Sequence, residues 1–386
     1  MKKNYILLIT ALFCLNNFLF SQAPDEKYYT VTPAQTENEA KKIIEDRFLK
    51  QFEMQGTVSN LKIIGVPEAI GYYVHGETLG LKSTVGIVLS TGRAKSTEGP
   101  NDHSGKSESN GVGGDVDAEI LAQNKTYDAS GFEFDFHYNS GEKNFVMSYV
   151  FGSEEYHEYS PKNDDDKVNP YSDVMGVFAT GKNYKGEFSN HSQNFALVPI
   201  TNQSVNLNNV HCGYESEHRI LPPGKKAGGE NKGQNCNFLV HNDHVSRKYI
   251  QMDAYIVPFL ASIPLYSDEK MVHIKVVIAD SRDGAYNSAI FLEGPKLSEG
   301  IDDIDQEDEI KIYPNPTSGE VTITAEEDME HPVIYVYDLR GSLVVCENLS
   351  DAKENTINLS FLPSGIYQAV ISDSGVKLYS KKIQVK

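Results

Sequence analysis

FEFDFHYNSGEKNFVMSYVFGSEEYHEY, residues Phe132 to Tyr159, is the stretch whose reading decides the fold. Phe132, Phe134 and Phe136 fall on one side of an alternation, with Glu133 and Asp135 on the other. A period of two is the pattern of a half-buried β-strand, because successive side chains leave opposite faces. Asn139-Ser140-Gly141 supplies the small polar residues of a chain reversal. Phe145 to Phe151 is then apolar at nearly every position, as expected of a strand near the centre of a sandwich. The run stops on Gly152-Ser153-Glu154-Glu155-Tyr156. Two adjacent carboxylates at the exit of a buried strand are costly unless they are wet, paired or bound to a cation.

The same texture extends outward. Leu61 to Val66, Gly71 to His75 and Val85 to Leu89 read as short strands before it. After it, Val272, Ile274, Val276 and Ile278 alternate up to Asp280-Ser281-Arg282-Asp283-Gly284, a turn leading into a last strand, Ser288 to Leu292. One helix is predicted: Thr36 and Glu39 form a capping box, and Ala40, Ile43, Ile44, Phe48 and Phe52 recur at helical spacing until Gly56. Strand after strand with no βαβ rhythm implies a mainly β, antiparallel, jelly-roll-like sandwich with that helix against it. Gly99 to Asp117 is a long polar loop, and Asn163 to Asp166 is a short acidic one. Asp115, Asp117 and Glu119 alternate like the start of an EF-hand, but no Gly stands at the sixth position and no Glu closes the loop.

Composition sets limits on partners. Lys+Arg 35 against Asp+Glu 54 gives a net charge of −19, a field that repels nucleic acid and anionic lipid. Met1 to Ala23 reads as a signal peptide, with Lys2 and Lys3 before an apolar stretch and a small-residue exit. No later stretch is apolar enough to span a membrane. Cys212, Cys236 and Cys346 remain after cleavage; an oxidising compartment favours a Cys212–Cys236 bridge, with two free thiols as the alternative. Ser298 to Glu309 holds seven acids and no Lys or Arg, so it reads as a self-repelling linker. The expected divisions are a leader 1–23, a sandwich 24–297, a linker 298–309 and a small Ig-like β-sandwich 310–386.

Two resemblances follow from these blocks. YVFGSEEYHEY with SDVMGVFATG, together with GIVLSTGRA, TYDASGFEFDF, FALVPITNQSVNLNNV and IKVVIADSRDGAYNSAIFLEG, resembles the choice-of-anchor L domain. That resemblance implies a secreted or surface module and names no reaction. Beyond the linker, Pro314-Asn315-Pro316, Gly319, Gly341, Gly365 and Tyr367, running to a Lys-rich end at Lys386, resemble the type A C-terminal sorting domain of type IX secretion. This implies the secretion machinery as partner and export through the periplasm to the cell surface or the medium.

No catalytic constellation has the right spacing: there is no G-x-S-x-G, H-E-x-x-H, phosphate loop or C-x-x-C. His241-Asn242-Asp243-His244 lacks a second ligand cluster and reads as a surface loop. Glu154 and Glu155 cannot pair as glycosidase carboxylates, because neighbours on a strand point apart. The expectation is a non-catalytic, adhesin-like module for a glycan or protein ligand; a secreted hydrolase with an acidic dyad and a purely structural surface component are the alternatives. The lack of Trp weighs against sugar stacking, though Tyr can serve. Strand-end acids recur in separate blocks, and Glu154, Glu155, Asp164, Asp165, Asp166, Asp173, Asp280 and Asp283 are candidate Ca²⁺ ligands. No organic cofactor is implied.

Overall fold

The computed structural model describes residues 28–386 apart from 54, 104, 139–143, 162–168, 200, 214–232, 243–248, 295–309, 326–331, 339–342, 351 and 374–375. The leader Met1–Ala23, the Asn139-Ser140-Gly141 reversal, Asp164, Asp165, Asp166, the linker 298–309 and Gly341 lie outside the described residues.

Strands are numbered along the chain. The first sheet of the passenger has the order β1 (Thr30–Pro33), β3 (Ile70–Val74), β4 (Val85–Ser90), β13 (Ser288–Glu293), β6 (Asn144–Ser153), β10 (Ala254–Ile256) and β9 (Leu239–His241). A further strand, β11 (Phe259–Pro264), also pairs with β6. The second sheet has the order β2 (Gly56–Ile64), β5 (Thr126–Tyr138), β12 (Met271–Ser281), β7 (Val174–Thr180) and β8 (Gln193–Asn194). Pairing is antiparallel throughout both sheets.

The opening stretch is therefore split between sheets. β5 belongs to the second sheet and β6 to the first, so these sequence neighbours are not paired as a hairpin. The alternation explains why this works: Phe132, Phe134 and Phe136 are all buried and face the core that Phe145 enters from the other sheet. The Phe136 and Phe145 rings meet edge to face at 4.9 Å. β6 is buried on both sides because its other face carries a second apolar cluster with Val150, Tyr255, Met252 and Phe291.

The single expected helix becomes two. α1 (Glu37–Arg47) is capped by Thr36, whose hydroxyl accepts from Glu39 N at 3.2 Å. Glu39 reaches back to Gln35 N at 2.7 Å, one residue before the expected partner. α1 stops at Arg47, and Leu49–Phe52 form a 3-10 turn that still delivers Phe48 and Phe52 to the core. The additional helix, α2 (Val116–Ala122), begins where the long polar loop was expected to end, with Asp115 accepting from Asp117 N and Ala118 N as its N-cap. It covers the outer face of the second sheet through Ala118, which packs with Val277, Ala279 and Phe178.

In the C-terminal region a sheet of β14 (Ile310–Tyr313), β15 (Glu320–Ala325) and β18 (Glu354–Asn358) faces one of β17 (Leu343–Asn348), β16 (Pro332–Tyr337), β19 (Gly365–Asp373) and β20 (Val376–Val385). Ile312, Val321, Ile323, Val336, Ile371 and Ile383 fill the space between. The motif residues have visible tasks here. Asn315, between Pro314 and Pro316, donates to Lys382 O at 2.7 Å and accepts from Gln384 N at 2.9 Å, tying the start of the domain to its last strand. Gly319 N donates to Thr317 Oγ1 at 3.0 Å, Thr317 O accepts from Lys386 N at 2.9 Å, and Tyr367 donates to Pro363 O at 2.7 Å. Gly365 opens β19.

Candidate functional site

The exits of β6 and β12 and the entry to β7 bring acids together. Glu154 and Glu155 follow β6, Asp173 precedes β7, and Asp280 sits next to the end of β12 where the register with β5 shifts. All four are buried, none being more than 2% exposed.

Adjacent on the chain, the two glutamates part company. Glu154 turns toward the polar loop, where its Oε2 accepts from Gly105 N at 3.1 Å and Lys106 N at 3.2 Å. Its Oε1 is buried with no hydrogen-bond donor. Glu155 turns the other way, and its Oε2 accepts from Asp173 N at 3.0 Å. Asp173 in turn accepts from Ser281 N at 3.0 Å and from Ser288 Oγ at 2.6 Å. Asp280 joins this second group; neither carboxylate oxygen has a partner at full hydrogen-bond geometry, and the Thr91 hydroxyl is the donor nearest to acting on it.

The electrostatics follow from burial without a cation. Burial pushes the Glu155 carboxyl well above the usual range, and repulsion from Asp173 and Asp283 adds to it. Asp280 is raised by burial and then by Asp173 and Glu155, against a pull downward from the Thr91 hydroxyl. Burial lifts Asp173 to about 8, although hydrogen bonds from Ser288 and Ser281 pull the other way. Glu154 is raised by burial and by Asp253.

So the structure joins Glu155, Asp173 and Asp280, and turns Glu154 to a different neighbourhood. Asp283 is on the exposed loop beyond, accepting from Ala285 N at 3.3 Å. Among the described residues, no three His, Cys, Asp or Glu side chains surround one point at metal-binding spacing.

Asp128 is a neighbour that strand reasoning missed. It holds a left-handed backbone (φ 51°) within β5 and accepts from Ser109 Oγ at 2.8 Å and Val112 N at 3.0 Å. Gly284 passes between the acids: a Cβ there would lie 2.9 Å from Asp128 Oδ2 and 3.9 Å from Asp280 Oδ2. The only signal was an acid interrupting the TYDASGF run.

The other candidates are structural in character. Cys212 and Cys236 are disulfide-bonded, with Cα atoms 4.6 Å apart. His241 Nδ1 lies 2.8 Å from His157 Nε2, and burial holds His241 below its ordinary value. Asn242 donates to Ile250 O and Met252 O, both at 2.7 Å, which closes its loop. Asp243 and His244 lie outside the described residues. An apolar hollow lined by Val257, Pro258 and Leu260 with Tyr335, Tyr337 and Val370 of the C-terminal region contains none of the carboxylates.

Comparison with known proteins places these features. The choice-of-anchor L domain matches residues 30–298, and the secretion system C-terminal sorting domain matches 311–386. No curated protein matches the chain. A biofilm-associated protein BSP domain is similar at 8% identity and a TM-score of 0.18, over 75% of this chain and 53% of that one. The chain thus spans about half the length of that structure. The Parabacteroides merdae β-glucuronidase is similar at 8% identity and TM-score 0.14 (70% of this chain, 29% of that one). Dimeric latent PorU from Porphyromonas gingivalis is similar at 10% identity and TM-score 0.17 (93% and 29%). At such TM-scores these likenesses bear on neither fold nor function. Among the described residues no helix is long and apolar enough to cross a membrane. The chain belongs to the choice-of-anchor L family and carries a type IX sorting domain that sends it to the cell surface or the medium.

Proposed function

We propose that the passenger is a non-catalytic, adhesin-like binding module for an extracellular glycan or protein, and that Met1–Ala23 is the leader for its first export step. The observation that carries the non-catalytic reading is the burial of the strand-end acids. Glu154, Glu155, Asp173 and Asp280 are at most 2% exposed, so a polysaccharide cannot reach them as a hydrolytic dyad must be reached. A hydrolase would need its pair elsewhere. The acids instead knit strand ends together, the work of a scaffold that presents surface loops.

The test has two arms. A chain ending at Gly300 should fold and accumulate in the periplasm, because the sorting domain is its address. Normal surface or medium levels of that truncation would remove the export reading. The exported protein, run against a glycan array and a hydrolase panel, should show retention without turnover. Sugar release by the exported protein, in the wild type and in a Glu154→Gln variant alike, would establish a hydrolase with its pair elsewhere.

A further inference from the structure

We propose that Glu155, Asp173 and Asp280 form a binding site for one calcium ion inside the passenger, locking the exits of β6 and β12 to the entry of β7. Three carboxylates are buried side by side, and they belong to segments far apart in the chain. A buried carboxylate needs a donor, a positive partner or a cation. Glu155 and Asp173 have donors, but those donors are neutral: backbone N–H groups and one hydroxyl. Asp280, fully buried and facing Asp173 and Glu155, has no partner at full hydrogen-bond geometry on either oxygen, and the one donor near enough to act on it, the Thr91 hydroxyl, is neutral. Among the described residues no Lys, Arg or His acts on any of the three. Asp280, without a cationic partner, therefore marks the charge this group lacks.

The chemistry selects the ion. The cluster offers oxygen only, which suits a hard cation and not zinc or copper. Its donors come from irregular strand exits, which suit the six to eight flexible oxygen ligands of calcium better than the strict octahedron of magnesium. Among the described residues no ready-made cage of three side chains exists, so carbonyls and water, which complete calcium sites as a rule, would have to supply the remaining ligands as the carboxylates close on the ion. An exported protein meets calcium outside the cell, so the ion would be gained after translocation. This proposal deepens the binding-module reading and does not depend on its ligand, so each can fail alone.

The experiment is calorimetric titration of the chelator-stripped full chain with CaCl2 at pH 7.5, paired with thermal unfolding. One site is expected, and calcium at 100 times its Kd should raise Tm by about 5 °C. Asp280→Asn should weaken binding at least tenfold, whereas Glu154→Gln should bind as wild type, because Glu154 faces the other loop. If Asp280→Asn does not fold, Glu155→Gln carries the same expectation. No binding heat and an unchanged Tm in the wild-type chain would overturn the site. So would wild-type affinity in both Asp280→Asn and Glu155→Gln.

Discussion

The second sheet carries acids in two regions and treats them in opposite ways. On its outer face Glu133, Asp135, Asp115 and Asp117 each meet a base. Lys62 Nζ lies 2.9 Å from Glu133 Oε1, and His273 Nδ1 lies 2.8 Å from Asp135 Oδ1. Lys275 bridges Asp115 at 2.9 Å and also contacts Asp117. At the strand exits Glu155, Asp173 and Asp280 meet one another, a further acid in Asp283, and neutral donors. The titration of the groups records the difference. Burial works to raise Asp117, yet Lys275 and two hydrogen bonds from Ser189 hold it below its ordinary value. Burial raises Asp173 and nothing cationic reverses it. A buried acid is thus a stable part of this fold only where the chain supplies its counter-charge, and at the exits it does not.

The most forceful way to break that contrast is to make the outer face resemble the exits. Lys275→Ala would strand Asp117, which is 1% exposed, and leave Asp115 without its cation. Removing one partner of a buried pair costs about 3–5 kcal/mol. Urea unfolding at pH 7 should show that loss, and a change under about 1 kcal/mol would mean the pairing is dispensable. The disulfide is a comparable restraint near the exits, since Tyr156, next to Glu155, donates to Val210 O two residues before Cys212. Its partners are 24 residues apart, and losing such a link costs about 3.5 kcal/mol in the chain-entropy model. A Cys212→Ser, Cys236→Ser chain that unfolds at the wild-type urea midpoint would show the bridge to be idle.

Acid and alkali should act on the two regions with opposite sign. Asp117, Glu133 and Asp135 are held below their ordinary values, so their stabilisation is present above the unfolded value, about 4, and is lost as pH falls below it. Asp173, raised to about 8, behaves in reverse. Below about pH 4 it is protonated folded or unfolded and its contribution is whole; as pH rises toward 8 the unfolded chain releases the proton first and stability falls. Chelator-treated protein should lose several degrees of Tm between pH 5 and 9, and Asp280→Asn should flatten that slope. A Tm that rises over the same range would mean that the cluster is ionised and compensated.

How far such a contrast can be read in advance depends on what a linear pattern encodes. Alternation in Phe132–Phe136 and Val272–Ile278 revealed which side chains face inward. Alternation says nothing of partners. β5 and β6 are neighbours in sequence and lie in opposite sheets, and Asp173 meets Ser281 across 108 positions. The exits were visible as acids after buried strands, but the parting of Glu154 from Glu155 needed the surrounding loops. Asp128 was hidden because its task depends on a left-handed backbone inside a strand. Lys275 was hidden among apolar neighbours; its partners, Asp115 and Asp117, lie some 160 positions away.

The smallest effect belongs to the most exposed pair, and it limits the comparison from the other side. Lys62 and Glu133 make as short a contact as Lys275 and Asp115, both at 2.9 Å. The Lys62 side chain is 68% exposed, against 10% for Lys275. Water already solvates the exposed ammonium, salt screens it, and fixing a long side chain costs rotamer freedom. Glu133 also keeps His273, whose Nε2 is 3.6 Å away. Lys62→Ala should therefore leave Tm unchanged within measurement error at physiological salt, while Lys275→Ala lowers it strongly in the same assay. Equal losses from the two variants would show that contact distance governs the pairing, and the burial argument applied to both regions would fall.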